Sequence, residues 1–253
     1  MGFSLVELSI VLVILGLLTG GILSGQSLIR AAELRSVSTD YQRYVAATYA
    51  FRDRYFAMPG DFARATDFWG IAGGTGADVT CRETISTGRE TCNGDGDGWI
   101  RGDLPHENEI LRFWQHLANA GLIEGQFKGV QGTVLGYAGM YAPGENIPMS
   151  KISGASWAAY YVAASAGTTT NFIFPASNWL ILRGNQLTPE ECWNVDSKMD
   201  DGRPATGKML VYKGDAAMPL TTRAGQAPGP ADLAAEYNFA VKDKICHPRF
   251  FPW

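Results

Sequence analysis

Lysine and arginine are absent before Arg30, and proline is absent before Pro59. The first absence removes the basic n-region of an ordinary secretory signal, and no Ala-x-Ala site closes the apolar stretch that follows. The second leaves the chain up to Met58 free of the strongest helix breaker. Histidine is scarce, with only His106, His116 and His247, and His116 has neither of the others at metal-ligand spacing. His116 is expected to be structural. No G-x-S-x-G, H-E-x-x-H or P-loop occurs, so the chain is not expected to be an enzyme. Charged residues make up 18%, with a net charge of -4, and no basic stripe is present to bind nucleic acid. The four cysteines form no C-x-x-C pair, which argues against thiolate metal ligation and for two disulfides. Spacing favours Cys81–Cys92 and Cys192–Cys246 among the three possible connectivities.

What the chain does have begins at its start. From Phe3 to Leu23 run 21 residues with one ionisable side chain, Glu7. About 20 apolar residues at about 1.5 Å per residue cross a hydrocarbon core of roughly 30 Å. A carboxylate at the bilayer centre costs about 2.5–3.5 kcal/mol, so Glu7 calls for a partner inside the membrane.

The order Gly2-Phe3-Ser4-Leu5-Val6-Glu7 heading this apolar run resembles the class III signal of type IV pilins and type II secretion pseudopilins. The resemblance implies cleavage after Gly2, N-methylation of Phe3, and pairing of Glu7 with a neighbouring subunit's terminal amine. A buried carboxylate would thereby meet a buried ammonium, leaving neither unpaired in lipid. It further implies a single-pass protein of the bacterial inner membrane, its globular domain periplasmic before assembly into a filament. The implied partners are other pilin subunits, a prepilin peptidase and an inner-membrane assembly platform. The family's leader usually carries Lys or Arg, and Met1-Gly2 does not. The natural start is therefore expected upstream, or orientation rests on other determinants.

Beyond Gly20-Gly21, Val37, Tyr41, Val45, Thr48, Phe51 and Tyr55 recur at helical spacing among charged residues. One helix is predicted from about Phe3 to Ala57, about 80 Å long, with Thr19-Gly20-Gly21 a weak point and Met58-Pro59-Gly60-Asp61 a stop. The "YxxxPGDxxxAxxxWG" pattern from Tyr55 to Gly70 is similar to a subgroup of prepilin-type proteins. Its aromatics are expected to be core.

Cys92-Asn93-Gly94-Asp95-Gly96-Asp97-Gly98 approximates the start of a D-x-[DN]-x-[DN]-G calcium loop, with Asn93, Asp95 and Asp97 as oxygen donors. The twelfth position is Leu104, so a closing carboxylate has to come from elsewhere; Glu107 and Glu109 are the candidates, with Asp103. Calcium is the expected cofactor.

Ile110, Phe113, Trp114, Leu117 and Ala120 mark a second amphipathic helix. Short apolar runs at 160–163, 171–174 and 179–182 between turn residues predict antiparallel strands. Thr188 and Glu191 form a capping box that opens another helix. The stretch from Val195 to Gly207 resembles an "iDxKxDDGxPxxG" segment of the same prepilin subgroup, and Asp196, Asp200 and Asp201 within it are a second candidate cation site or a helix-ending turn.

The predicted fold is α+β: a long N-terminal helix, transmembrane in its first half, packed on an antiparallel-sheet globular domain, as in pilins. Its parts are a leader (1–2), an assembly helix (3–25), an amphipathic continuation (26–58) and an extracytoplasmic domain (59–253). The expected function is a minor pilin or pseudopilin. The alternative is a membrane-tethered binding or adhesive domain that does not polymerise.

Overall fold

Ser4 starts the first helix with a reciprocal cap. Its hydroxyl accepts from the Val6 N–H at 3.3 Å, while Glu7 Oε2 accepts from the Ser4 N–H at 2.9 Å. In the computed structural model, which describes residues 4–102, 109–130, 141–162, 176–212, 221–222 and 236–251, α1 then runs unbroken as Leu5–Tyr55. Gly2, Phe3, Asp103, Glu107 and the 171–174 run lie outside the described residues. The 51 residues of α1 span about 76 Å at 1.5 Å each. The expected weak point at Gly20-Gly21 stays helical, because helical residues continue on both sides and no described residue packs there to bend it. Phe56 ends the helix in the left-handed conformation, its N–H donating to the Arg52 carbonyl at 2.8 Å. That end falls just before the predicted one, with Pro59 blocking continuation.

The helix leads two lives along its length. Leu5, Leu12, Leu17 and Leu23 are all more than half exposed, and the segment is long and apolar enough to cross a bilayer. From Ser36 onward, Val37, Asp40, Tyr44, Ala47, Thr48 and Phe51 are buried at three- or four-residue steps.

The remaining elements form the domain that buries this second stripe. They are α2 (Ala65–Trp69), α3 (Val79–Glu83), α4 (Glu109–Asn119), β1 (Ser156–Val162), β2 (Ser177–Arg183), α5 (Pro189–Met199), β3 (Met209–Tyr212), β4 (Thr221–Thr222), β5 (Glu236–Tyr237) and β6 (His247–Phe250). Four strands make an antiparallel sheet in the order β1-β2-β6-β3, and β4 pairs with β5 separately. The fold is therefore α+β, as expected.

Registers such as Trp157↔Leu182 and Met209↔Phe250 put Trp157, Leu182, Met209 and Phe250 in one core with Tyr44 and Phe51 of α1. Tyr44 meets Trp114 at 4.8 Å and Trp157 at 5.7 Å between centroids, both edge-on. Trp179, Ile181 and Leu210 face the other way and form a second cluster with Ala205. The sheet is covered on both faces, which is why Trp179 to Leu182 reads as a continuous apolar run without alternation.

Both disulfides follow the favoured pairing. Cys81–Cys92 closes the loop after α3, and Cys192–Cys246 ties α5 to the residue preceding β6, with Cα atoms 5.9 and 6.4 Å apart.

Candidate functional site

Glu7 sits in the first turn of α1, flanked by exposed Val6, Leu8 and Ile10. One of its oxygens caps its own helix; the other takes no hydrogen bond among the described residues. The carboxylate thus retains acceptor capacity on an apolar surface that nothing among the described residues covers.

Arg30 fixes where the helix meets the domain. Its Nε and Nη2 donate to the two Glu191 carboxylate oxygens at 2.6 and 2.8 Å, and Nη2 also donates to the Gln186 carbonyl at 2.7 Å. Glu191 closes the capping box of α5 by accepting from the Thr188 N–H at 2.9 Å. Burial alone would raise the Glu191 carboxyl, but Arg30 and the Thr188 N–H hold it below its usual value. One planar fork therefore locks the free half of α1 to α5 in a set direction.

The acidic loop is built on a residue from outside it. Gly60 adopts φ 86°, donates its N–H to His116 Nδ1 at 2.9 Å, and delivers Asp61 beneath the loop. Gly94 packs backbone to backbone there, since a Cβ would fall on the Asp61 main chain, and its N–H reaches the Phe62 carbonyl at 3.1 Å. Asp61 Oδ1 accepts from the N–H groups of Gly96 at 2.6 Å and Asp97 at 3.1 Å, and Oδ2 from Gly98 at 2.7 Å. Asp61, Asp95 and Asp97 bring carboxylate oxygens within 4.8 Å of one another.

Asn93, expected to be the first donor of the loop, is turned elsewhere: its side-chain oxygen accepts from the Thr66 N–H at 2.9 Å at the start of α2. Glu109 lies under the loop as a backbone anchor, accepting from the N–H groups of Asp95 at 3.1 Å and Arg101 at 2.9 Å. The convergent set is thus Asp61, Asp95 and Asp97, with Glu109 adjoining. Arg101 offsets part of its charge through a 2.8 Å ion pair with Asp97.

Burial raises the Asp61 carboxyl to about 7, helped by neighbouring Asp95, against the opposing pull of the Gly98 and Gly96 N–H groups. Burial raises Glu109 to about 8, with Asp61 and Asp95 adding like-charge repulsion. The donor set is hard oxygen throughout, which suits calcium.

Helix α4 forms where the amphipathic pattern places it, and its polar face is covered as well. Glu109, Arg112, Gln115 and His116, on its polar positions, are all at most 5% exposed. The 61–101 segment covers that face and hydrogen-bonds most of its polar atoms, while Arg112 Nε has no partner among the described residues. Arg112 Nη1 donates to Gln115 Oε1 at 2.7 Å, the Thr91 hydroxyl donates to the same oxygen at 2.7 Å, and Arg112 Nη2 reaches the Cys81 carbonyl at 3.2 Å. His116 accepts at Nδ1, so its proton sits on Nε2, 3.0 Å from the Thr91 hydroxyl oxygen. Burial, with the nearby Arg112 charge, holds the ring neutral with a pKa of about 3. The side chain is structural.

The second acidic group also assembles. Asp196, Asp200 and Asp201 bring carboxylate oxygens within 4.8 Å of one another at the end of α5. The latter two shape the following turn: Asp200 Oδ2 accepts from the N–H groups of Lys208 and Met209, and Asp201 accepts from the Arg203 N–H and the Thr206 hydroxyl.

No protein-family model, curated protein or solved structure matches this chain.

Proposed function

We propose that this chain is a structural subunit, a minor pilin or pseudopilin, of a type IV pilus or type II secretion filament. The observation that carries the reading is α1 itself: one continuous helix, buried along one face from Ser36 on and exposed almost throughout from Leu5 to Ile29, with a single carboxylate, Glu7, in that apolar half. A bare apolar half-helix demands either lipid or copies of itself. Glu7 favours copies, because a plain tether gains nothing from a carboxylate in hydrocarbon. In this reading the chain is cut after Gly2, Phe3 becomes the amino terminus, and its ammonium meets Glu7 of a neighbour. The single-pass segment holds the subunit in the inner membrane, domain outward in the periplasm, until a peptidase and an assembly platform have acted. The Arg30–Glu191 fork gives every subunit the same angle between stalk and domain, as a regular filament requires. The Asp61–Asp95–Asp97 cluster is proposed to hold calcium, stiffening the loop that covers α4.

The test separates the capping role of Glu7 from its charge. Glu7→Gln keeps a side chain able to cap the helix, whereas Glu7→Ala loses both. Both variants are expected to accumulate in the membrane and to be missing from sheared filaments. Normal incorporation of Glu7→Gln would show that the charge plays no part in assembly and would favour the tethered adhesive domain.

A further inference from the structure

Asp196 is fully buried on the last turn of α5. Its Oδ2 accepts from the Tyr237 hydroxyl of β5 at 2.8 Å. Its Oδ1 is also buried and has no hydrogen-bond partner. The Gly202 N–H eases the charge slightly, yet no hydrogen bond reaches that oxygen. A buried carboxylate oxygen without a partner loses its hydration with nothing in exchange, and native structures rarely leave one so.

The surroundings add to the cost. The Asp200 and Asp201 carboxylates converge on the same point, and no lysine or arginine pairs with any of the three among the described residues. Hydrogen bonds from the 203–209 turn hold Asp200 and Asp201 in place, so they cannot swing away to relieve the repulsion. Main-chain N–H groups and a hydroxyl thus preorganise two carboxylates beside a third that is buried and has one oxygen unused. A pocket of about 380 Å³, lined by Asp201 with Trp193, Gly202, Arg203, Glu236 and Tyr237, opens the Asp201 side of the cluster to solvent.

We infer that Asp196, Asp200 and Asp201 form a calcium site, with Asp196 Oδ1 as its buried ligand. Three carboxylates without histidine or cysteine are a hard donor set, and calcium tolerates the irregular geometry and added waters that a helix-end turn provides. Magnesium demands a near-ideal octahedron and usually completes it with phosphate. The ion would clamp the end of α5 to the 200–208 turn directly and to β5 through Tyr237, cross-linking segments that otherwise share few contacts. The site is separate from the Asp61 cluster and does not depend on the filament reading.

The full chain in detergent micelles tests this, with Asp95→Asn and Asp97→Asn introduced together to disable the other cluster. After chelation, terbium serves as the calcium probe and Trp193 as its antenna, since the indole lies against Gly202. Tryptophan-sensitised emission is expected, displaced by calcium and far less by magnesium. Asp196→Asn and Asp201→Asn should each weaken terbium binding at least about ten-fold. Trp193→Phe should dim the emission while leaving calcium's stabilisation of the fold, read as a melting-temperature rise, intact. Asp201 is exposed, so its variant remains informative if Asp196→Asn fails to fold. Absence of calcium-displaceable emission, or undiminished affinity in Asp201→Asn, would overturn the site.

Discussion

Asp61 accepts the Gly98 N–H at 2.7 Å across 37 residues of sequence, and with its other oxygen gathers the N–H groups of Gly96 and Asp97. The loop that resembles a calcium motif is therefore shaped by a carboxylate the motif does not contain. Asp61→Ala would leave three N–H groups without their acceptor. It is expected to cost about 2–3 kcal/mol, since each unmet group costs about 1–3 kcal/mol and water reaches part of this loop. Chemical denaturation checks this, and a loss below about 0.5 kcal/mol would mean that the loop holds its shape without Asp61.

Stability should depend on pH in an unusual direction. Burial places Asp61 and Asp196 at about 7 and Glu109 at about 8, whereas unfolded carboxyls titrate near about 4. Between those values the folded protein holds more protons than the unfolded chain, so stability falls as pH rises. His116 opposes this at lower pH: it stays neutral down to about 3 when folded but binds a proton below about 6.5 when unfolded. From about pH 6.5 to 8 the acids act alone among these groups. The chelated protein should therefore melt lower at pH 8 than at about pH 6.5, and calcium should reduce the difference by favouring the charged carboxylates. A flat profile in chelator would show that these carboxyls ionise freely in the fold.

The two disulfides should not be equivalent. Cys192–Cys246 closes a separation of 54 residues and Cys81–Cys92 one of 11. Chain entropy assigns about 4 kcal/mol to the first and about 3 kcal/mol to the second. Replacing Cys192 and Cys246 by alanine should lower the denaturation midpoint more than replacing Cys81 and Cys92. The reverse order would locate the larger constraint in the acidic-loop region.

Local signals made much of this architecture legible. The apolar run, the stripe from Val37 to Tyr55 and the Pro59 stop define α1, because helix periodicity and proline act within a few residues. The Thr188–Glu191 box announced α5 for the same reason. What escaped was set by distant chain. Periodicity marks the apolar face of α4 but gives no sign that Gln115 and Arg112, beside the structural His116, are buried as well, because the cover comes from the 61–101 segment folding over them. Asp61 was visible only as part of a turn after Pro59, and Asn93 fitted a ligand position by spacing while its amide serves the start of α2. Spacing specifies a loop's own donors; it cannot say which carboxylate the fold brings in from outside.

The most direct test of the filament reading is the mass of the mature amino terminus, measured on protein isolated from bacterial membranes that contain a prepilin peptidase. The expected result is a chain beginning at Phe3, carrying one added methyl group on its amine and lacking Met1-Gly2. A chain still carrying Gly2 before Phe3, or cut at another bond, would contradict it.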